Sequence, residues 1–246
     1  MSLLAVIGGS GFQRLGPLRV EETRPVDTPF GPVSGPLVYG RIGETPVLFL
    51  ARHGEGHRLP PHRVNYRANL WALHAAGAER VVGLAAVGGI ARHLGPRSFA
   101  VPDQLIDYTR GRDHTFHDGE SGPVVHVDFT DPYCQALRGA LLGACRRAGV
   151  PAADGGTYGT TQGPRLETKA EIARMERDGC DLVGMTGMPE AALARELGLR
   201  YATLAFVVNW AAGKGAGVIA MSEIEAHLAY CTGQVEAILT ALAKDA

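Results

Sequence analysis

A chain of 246 residues, 46% hydrophobic and 20% charged, can bury a sizeable core as one domain spanning residues 1–246, and no stretch approaches the ~20 apolar residues of a membrane span. Its 24 basic and 25 acidic residues are mixed along the length and leave a formal net charge of −1, which excludes a basic field for nucleic acid or an anionic membrane and points to a small-molecule partner. "MSLLAVIGGSGF" has no basic leader or small-residue cleavage site, and Cys134, Cys145, Cys180 and Cys231 are too scattered for bridges or a zinc site, so a cytoplasmic protein with reduced thiols is expected.

In chain order, "LLAVIGG" (3–9), "PVLFLAR" (46–52), "RVVGLAAVGG" (80–89), "DLVGMT" (181–186) and "YATLAFVVN" (201–209) have the length and unbroken hydrophobicity of strands covered on both faces. A hairpin is expected around "GET" (43–45). Helical patterns alternate with the strands. "VNYRANLWALHAAGAE" (64–79) ends at Gly77, and "DPYCQALRGALLGACRRAG" (131–149) opens on an Asp cap with Pro at the first helical position and closes on Arg146, Arg147 and Gly149. "ETKAEIARMERDG" (167–179), "PEAALARELG" (189–198) and "MSEIEAHLAYCTGQVEAILTALAK" (221–244) complete the set, which argues for an α/β fold around a largely parallel sheet. Segment 109–127 is a long polar excursion, and a loop of that length is usually functional or covered by a partner.

Several strand ends carry groups suited to an anion. In "VIGGSG" (6–11), backbone N–H groups and the Ser10 hydroxyl can converge on a phosphate, although the glycine register misses the dinucleotide fingerprint and, taken alone, an ordinary tight turn is the favoured reading. "ARHGEGH" (51–57) offers Arg52, whose planar fork suits a phosphate, together with His53 and His57. The alternatives are solvated loop histidines, or a metal held by His53, His57 and His62, for which the spacing is poor. In "VGMTGMPEAALARE" (183–196), Thr186 precedes a helix with Pro189 in its first turn, so it serves either as a plain cap or as a donor to an anion at a helix N-terminus. Glu167 in "TTQGPRLETKAE" (160–171) lies in a loop or a first helical turn, where acids merely complement the dipole, and is functional only if a substrate donor faces it.

Taken together, "IGGSGF", "ARHGEGHRLPPHRVNYRANLWAL", "AAVGGI", "TQGPRLETKAEIA" and "VGMTGMPEAALARELGL" resemble, in order and spacing, the trimeric purine nucleoside phosphorylases and the 5′-methylthioadenosine phosphorylases, and most of all the bacterial 5′-methylthioinosine subgroup. The resemblance covers nearly the whole chain. It implies a single α/β domain with a central mixed β-sheet flanked by helices, a homotrimer with sites near subunit interfaces, and phosphorolysis with inorganic phosphate as co-substrate and no metal or organic cofactor. Position by position, Ser10, Arg52, His53 and Thr186 match phosphate-binding residues, Met185 the residue under the ribose, and Glu167 and Asn209 the base-reading pair. His126 matches a loop residue that relatives lend to the neighbouring subunit. Ala85 stands where methylthioadenosine phosphorylases carry a Thr that helps bind phosphate.

On this alignment the base is expected to be a 6-oxopurine. The carboxamide of Asn209 can accept from N7–H while donating to O6, and the Glu167 carboxylate can accept N1–H. Adenine matches neither, and relatives that cleave it resemble one another in an Asp at the position of Asn209, followed two residues on by a second Asp where this chain has Ala211. Buried mismatches of this kind discriminate by about 10⁴ or more. The expected reaction is therefore phosphorolysis of 5′-methylthioinosine, with inosine, guanosine or methylthioadenosine as alternatives. At the 5′ end, Met221, Ile224 and Leu228 have near-helical spacing suited to an apolar wall for a methylthio group, unless they simply pack into the core. His227 would instead favour a hydroxyl. A non-catalytic nucleotide-binding protein and a hydrolase are the competing classes.

Overall fold

Strands that are apolar on both faces need cover on both faces, and the computed structural model, which describes residues 2–119 and 122–244, supplies it with helical layers. The strands are β1 (Leu4–Gly8), β2 (Arg19–Arg24), β3 (Leu37–Ile42), β4 (Thr45–Ala51), β5 (Arg80–Gly89), β6 (Phe99–Val101), β7 (Gln104–Asp107), β8 (Ala152–Asp154), β9 (Thr157–Thr160), β10 (Leu182–Gly184) and β11 (Arg200–Trp210). The helices are α1 (Tyr66–Ala75), α2 (Gln135–Arg147), α3 (Lys169–Arg177), α4 (Gly187–Glu196) and α5 (Met221–Ala243). Side chains of β1 alternate between the layers: Leu4 and Val6 pack with α2 and α5, whereas Ala5 and Ile7 pack with α1 and α4. Among the described residues, no helix is long and apolar enough to cross a membrane.

These eleven strands form one mixed sheet, with a main path β2-β3-β4-β1-β5-β10-β9-β7 and a branch in which β11 joins β5 and is followed by β6 and β8. Pairing is parallel for β1 with β4 and β5, and for β11 with β5. The hairpin around "GET" is present, with Ile42 facing Thr45 across Gly43 and Glu44. Its outer partner β2 carries six exposed residues and alternates charges along the sheet edge, which is why its sequence does not read as a strand.

The feature that places the site is β5. One of its edges is occupied by β11 along the whole strand, whereas the other is shared by β1 over Arg80–Gly83 and by antiparallel β10 at Gly88 and Gly89. Among the described residues, 84–87 have no strand partner on that second edge. Open sheets bind ligands where strands change partners, because backbone groups and strand ends are left free there. Opposite this gap β11 is bulged: Val207 pairs with Val87 and Asn209 with Gly88, leaving Val208 without a counterpart.

Among α1, α2 and α3, helix ends follow local chemistry with one exception. The Asn65 side chain accepts from Ala68 N at 3.0 Å to start α1, and Gly77, at φ 87°, follows its end. Thr168 and Glu171 close a reciprocal capping box on α3. The exception is α2, which begins at Gln135 after Cys134 rather than at the Asp131-Pro132 pair. Tertiary contacts override the cap there: Tyr133 is buried and stacks on Tyr201, and Cys134 N donates to Tyr201 O at 2.8 Å, so residues 131–134 are drawn onto β11 before the helix can start.

Candidate active site

A cavity of about 440 Å³ opens at the partner change on β5. Its walls come from Gly9 and Ser10 after β1, Arg52 and His53 after β4, Leu84 and Ala86 on β5, Met185 and Thr186 after β10, Val208 and Asn209 at the bulge, and Glu167. Met221, Ile224 and Leu228 on α5 line it as well. All nine cavity residues expected within a single subunit, Ser10, Arg52, His53, Thr186, Met185, Met221, Ile224, Glu167 and Asn209, line this one space. The exposed His126 is not among its lining residues. Ala85 packs in the core with Ala100, Tyr158 and Ala205, while its neighbour Ala86 reaches the wall.

The fork of Arg52 is not offered whole to the cavity, which corrects the sequence reading. Nε and Nη2 each donate to Glu190 at 2.7 Å, and Nη1 donates at 2.8 Å to Leu84 O, a carbonyl within the unpaired stretch of β5. Five guanidinium donors minus these three leave one N–H on Nη1 and one on Nη2. The pair is 1% and 0% exposed, and Tyr201 Oη donates to Glu190 Oε1 at 2.8 Å. Burial works against the Arg52 charge, but the Glu190 carboxylate and its hydrogen bonds more than offset this and raise its pKa. Two glycines make room. A Cβ at Gly9 would lie 2.7 Å from Leu84 O and 2.9 Å from Arg52 Nη1, and one at Gly83 would lie 2.2 Å from Tyr201 Oη.

His53 is buried beside this pair, and burial together with the Arg52 charge brings its pKa down to about 4. Its Nδ1 lies 2.8 Å from Leu59 O. A carbonyl can only accept, so the neutral ring carries its proton on Nδ1 and leaves Nε2 as an acceptor. His53 and His57 stack with centroids 4.2 Å apart, and no group of three His, Cys, Asp or Glu side chains among the described residues is placed to hold a metal. Thr186 occupies the N-cap position of α4 without a side-chain capping bond, so its hydroxyl is not spent on the helix.

On the other wall, Asn209 Nδ2 donates to Trp210 O at 2.7 Å, which fixes the amide and leaves its carbonyl and second N–H uncommitted. Glu167 Oε1 accepts from Thr161 Oγ1 at 2.6 Å. His227 turns away: its Nδ1 lies 2.8 Å from Val208 O and its ring lines a separate crevice with Trp210, so α5 presents apolar side chains to the main cavity.

Sequence reasoning missed four supports. Glu190 was detectable as an acid inside the otherwise apolar "MPEAALA" run. Arg112 lies within the 109–127 excursion and is buried, donating to Met185 O at 2.9 Å, Met188 O at 2.6 Å and Gln162 O at 2.9 Å, so it ties that loop to two walls of the site. Thr161 and Tyr201 gave no sequence signal beyond their type.

Residues 3–244 match the model of the phosphorylase superfamily, and the chain belongs to that family. It is 54% identical to a probable S-methyl-5′-thioinosine phosphorylase of Pseudomonas syringae pv. tomato, over 97% of each chain. It is 47% identical to a 6-oxopurine nucleoside phosphorylase of Pyrococcus furiosus, over 91% of this chain and 85% of that one. The fold superposes with a TM-score of 0.94 on methylthioadenosine phosphorylase from Schistosoma mansoni in complex with adenine, at 32% identity, covering 99% of this chain and 91% of the other.

Proposed function

We propose that the protein cleaves 5′-methylthioinosine with inorganic phosphate, releasing hypoxanthine and 5-methylthioribose 1-phosphate. A phosphate oxygen bonds to the anomeric carbon, the N-glycosidic bond breaks with its electron pair going to the purine, and the proton of hydrogen phosphate ends on the base. The transition state has a cationic sugar between an anion and a purine gaining negative charge, so both flanks need stabilisation. Arg52, Ser10 and Thr186 hold the phosphate, and His53 Nε2 accepts from its protonated oxygen. Met185 supports the ribose. Asn209 receives N7–H and donates to O6, and Glu167 accepts N1–H.

The observation that carries this reading is that Asn209, with its carbonyl and one amide N–H uncommitted, and the carboxylate of Glu167 line one cavity with the apolar α5 wall, while His227 is spent on Val208 O. An apolar wall suits a methylthio group better than a hydroxyl. The Pseudomonas relative's name agrees, whereas the Pyrococcus relative's name favours a second reading, an ordinary 6-oxopurine nucleoside phosphorylase. The reaction needs no metal or organic cofactor. We assign the protein to the cytoplasm as a homotrimer in which His126, on a segment with exposed Val124 and Val125, completes a neighbour's pocket.

A panel of 5′-methylthioinosine, inosine and 5′-methylthioadenosine, each with and without phosphate, tests the assignment. Phosphate-dependent release of hypoxanthine, fastest from methylthioinosine, is expected. Methylthioadenosine cleaved as fast would overturn the base assignment, inosine cleaved faster would favour the second reading, and release without phosphate would make the protein a hydrolase.

A further inference from the structure

The carboxylate of Glu167 is not free on both oxygens. Thr161 Oγ1 lies 2.6 Å from Oε1, whereas its alternative acceptor, Gly184 O, is at 3.3 Å, so the single hydroxyl proton goes to the carboxylate. Thr161 is itself fixed. Its N–H donates to Gly184 O at 2.8 Å, at the end of β10, and its carbonyl accepts from buried Arg112 Nη2 at 3.2 Å. Glu167 forms part of the wall between the main cavity and a second one of about 410 Å³, and Thr161 lines the second but not the first. The threonine therefore grips the carboxylate from behind the substrate cavity.

We propose that Thr161 is a positioning residue that commits one oxygen of Glu167 and so makes the site select hypoxanthine over guanine. The inference deepens the proposed function and rests on its assignment of Glu167 to the N1 edge of the purine. Hypoxanthine presents one donor there, N1–H. Guanine presents two side by side, N1–H and the 2-amino group, a pair that a free carboxylate accepts with both oxygens. Thr161 occupies one lone pair of Oε1 and holds the carboxylate in one orientation, so Oε2 serves N1–H and Oε1 is left a weaker acceptor for a second donor. The 2-amino group of guanine then gives up its water without gaining an equivalent acceptor, a mismatch that sites built on hydrogen bonds penalise strongly.

The test compares kcat/KM for 5′-methylthioinosine and 5′-methylthioguanosine in the wild type, Thr161→Val and Thr161→Ser, with the KM for phosphate measured in each. The wild type is expected to favour the hypoxanthine nucleoside by about tenfold or more. Thr161→Val should bring that ratio to within about threefold with the phosphate KM unchanged, and Thr161→Ser should restore it. A wild-type ratio near one, or an unchanged ratio in a Val variant that keeps its phosphate KM, overturns the proposal. Calorimetric binding of free hypoxanthine and guanine to the wild type gives a reading independent of any variant's folding, and equal affinities would also overturn it. Glu167→Gln separates the two levels: full activity on methylthioinosine would refute the assignment of Glu167, whereas an inactive Gln variant beside an unmoved Thr161→Val ratio would refute the role of Thr161 alone.

Discussion

The two walls of the cavity are made of different material. Toward Arg52, the charged and imidazole groups are anchored: the Arg52–Glu190 pair is almost wholly buried, Leu84 O accepts from Arg52, Tyr201 Oη donates to Glu190, and Leu59 O accepts from His53. On the opposite side the wall is assembled from the bulged end of β11, loops and one helix start, with Met221 62% exposed, Leu166 41% exposed, and Glu167 and Asn209 half-buried. The first wall needs no rearrangement to meet an anion, and its formal charge nearly cancels, so it binds by directed hydrogen bonds more than by bulk attraction. The second is cheap to alter, because few contacts depend on it. Preorganised chemistry and adjustable recognition are thus kept on separate elements.

The largest effect that would break this contrast is at Glu190. Glu190→Gln leaves a guanidinium buried without its counter-charge, and such a loss costs about 3 to 5 kcal/mol. A large fall in melting temperature and a raised phosphate KM are expected; a change within the range of an exposed substitution would mean that the inner wall is not locked. The next effect is a pH dependence. The imidazole of His53 is held down to about 4 by burial and by Arg52, whereas in the unfolded chain it titrates near 6.5. Between these values the unfolded state binds more protons, so stability is constant with respect to this group above pH 6.5 and is lost as pH falls toward 4, by roughly 2 to 3 kcal/mol. Urea midpoints at pH 7.5 and 4.5 should differ less in His53→Asn than in the wild type, and an identical slope would sink the assignment. The smallest effect belongs to the outer wall. Ile224→Ser should reduce the preference for methylthioinosine over inosine by about tenfold with little change in stability, and an unmoved ratio would show that α5 does not read the 5′ group.

The same contrast decides what was legible in the sequence. Unbroken apolar runs marked β1, β4, β5, β10 and β11, and the glycine and threonine turns after them marked the cavity, because strand burial and turn chemistry are local signals. The short strands β6 to β9 lack a period long enough to register. Arg52 was identifiable as a functional arginine, but its partner lies 138 residues away and changes its role from an open fork to a clamped one. The start of α2 was misplaced because a valid cap signature at Asp131 was overruled by the burial of Tyr133, a fact of tertiary packing.

The unmatched residue in β11 has a further consequence. Since Val208 has no partner in β5, the strand has already broken step before it reaches Asn209, and the ladder behind that point is insulated from whatever side chain follows. On the proposed function, a lineage carrying this irregularity could change the letter at position 209, and with it the diet of the enzyme, with little disturbance to the core.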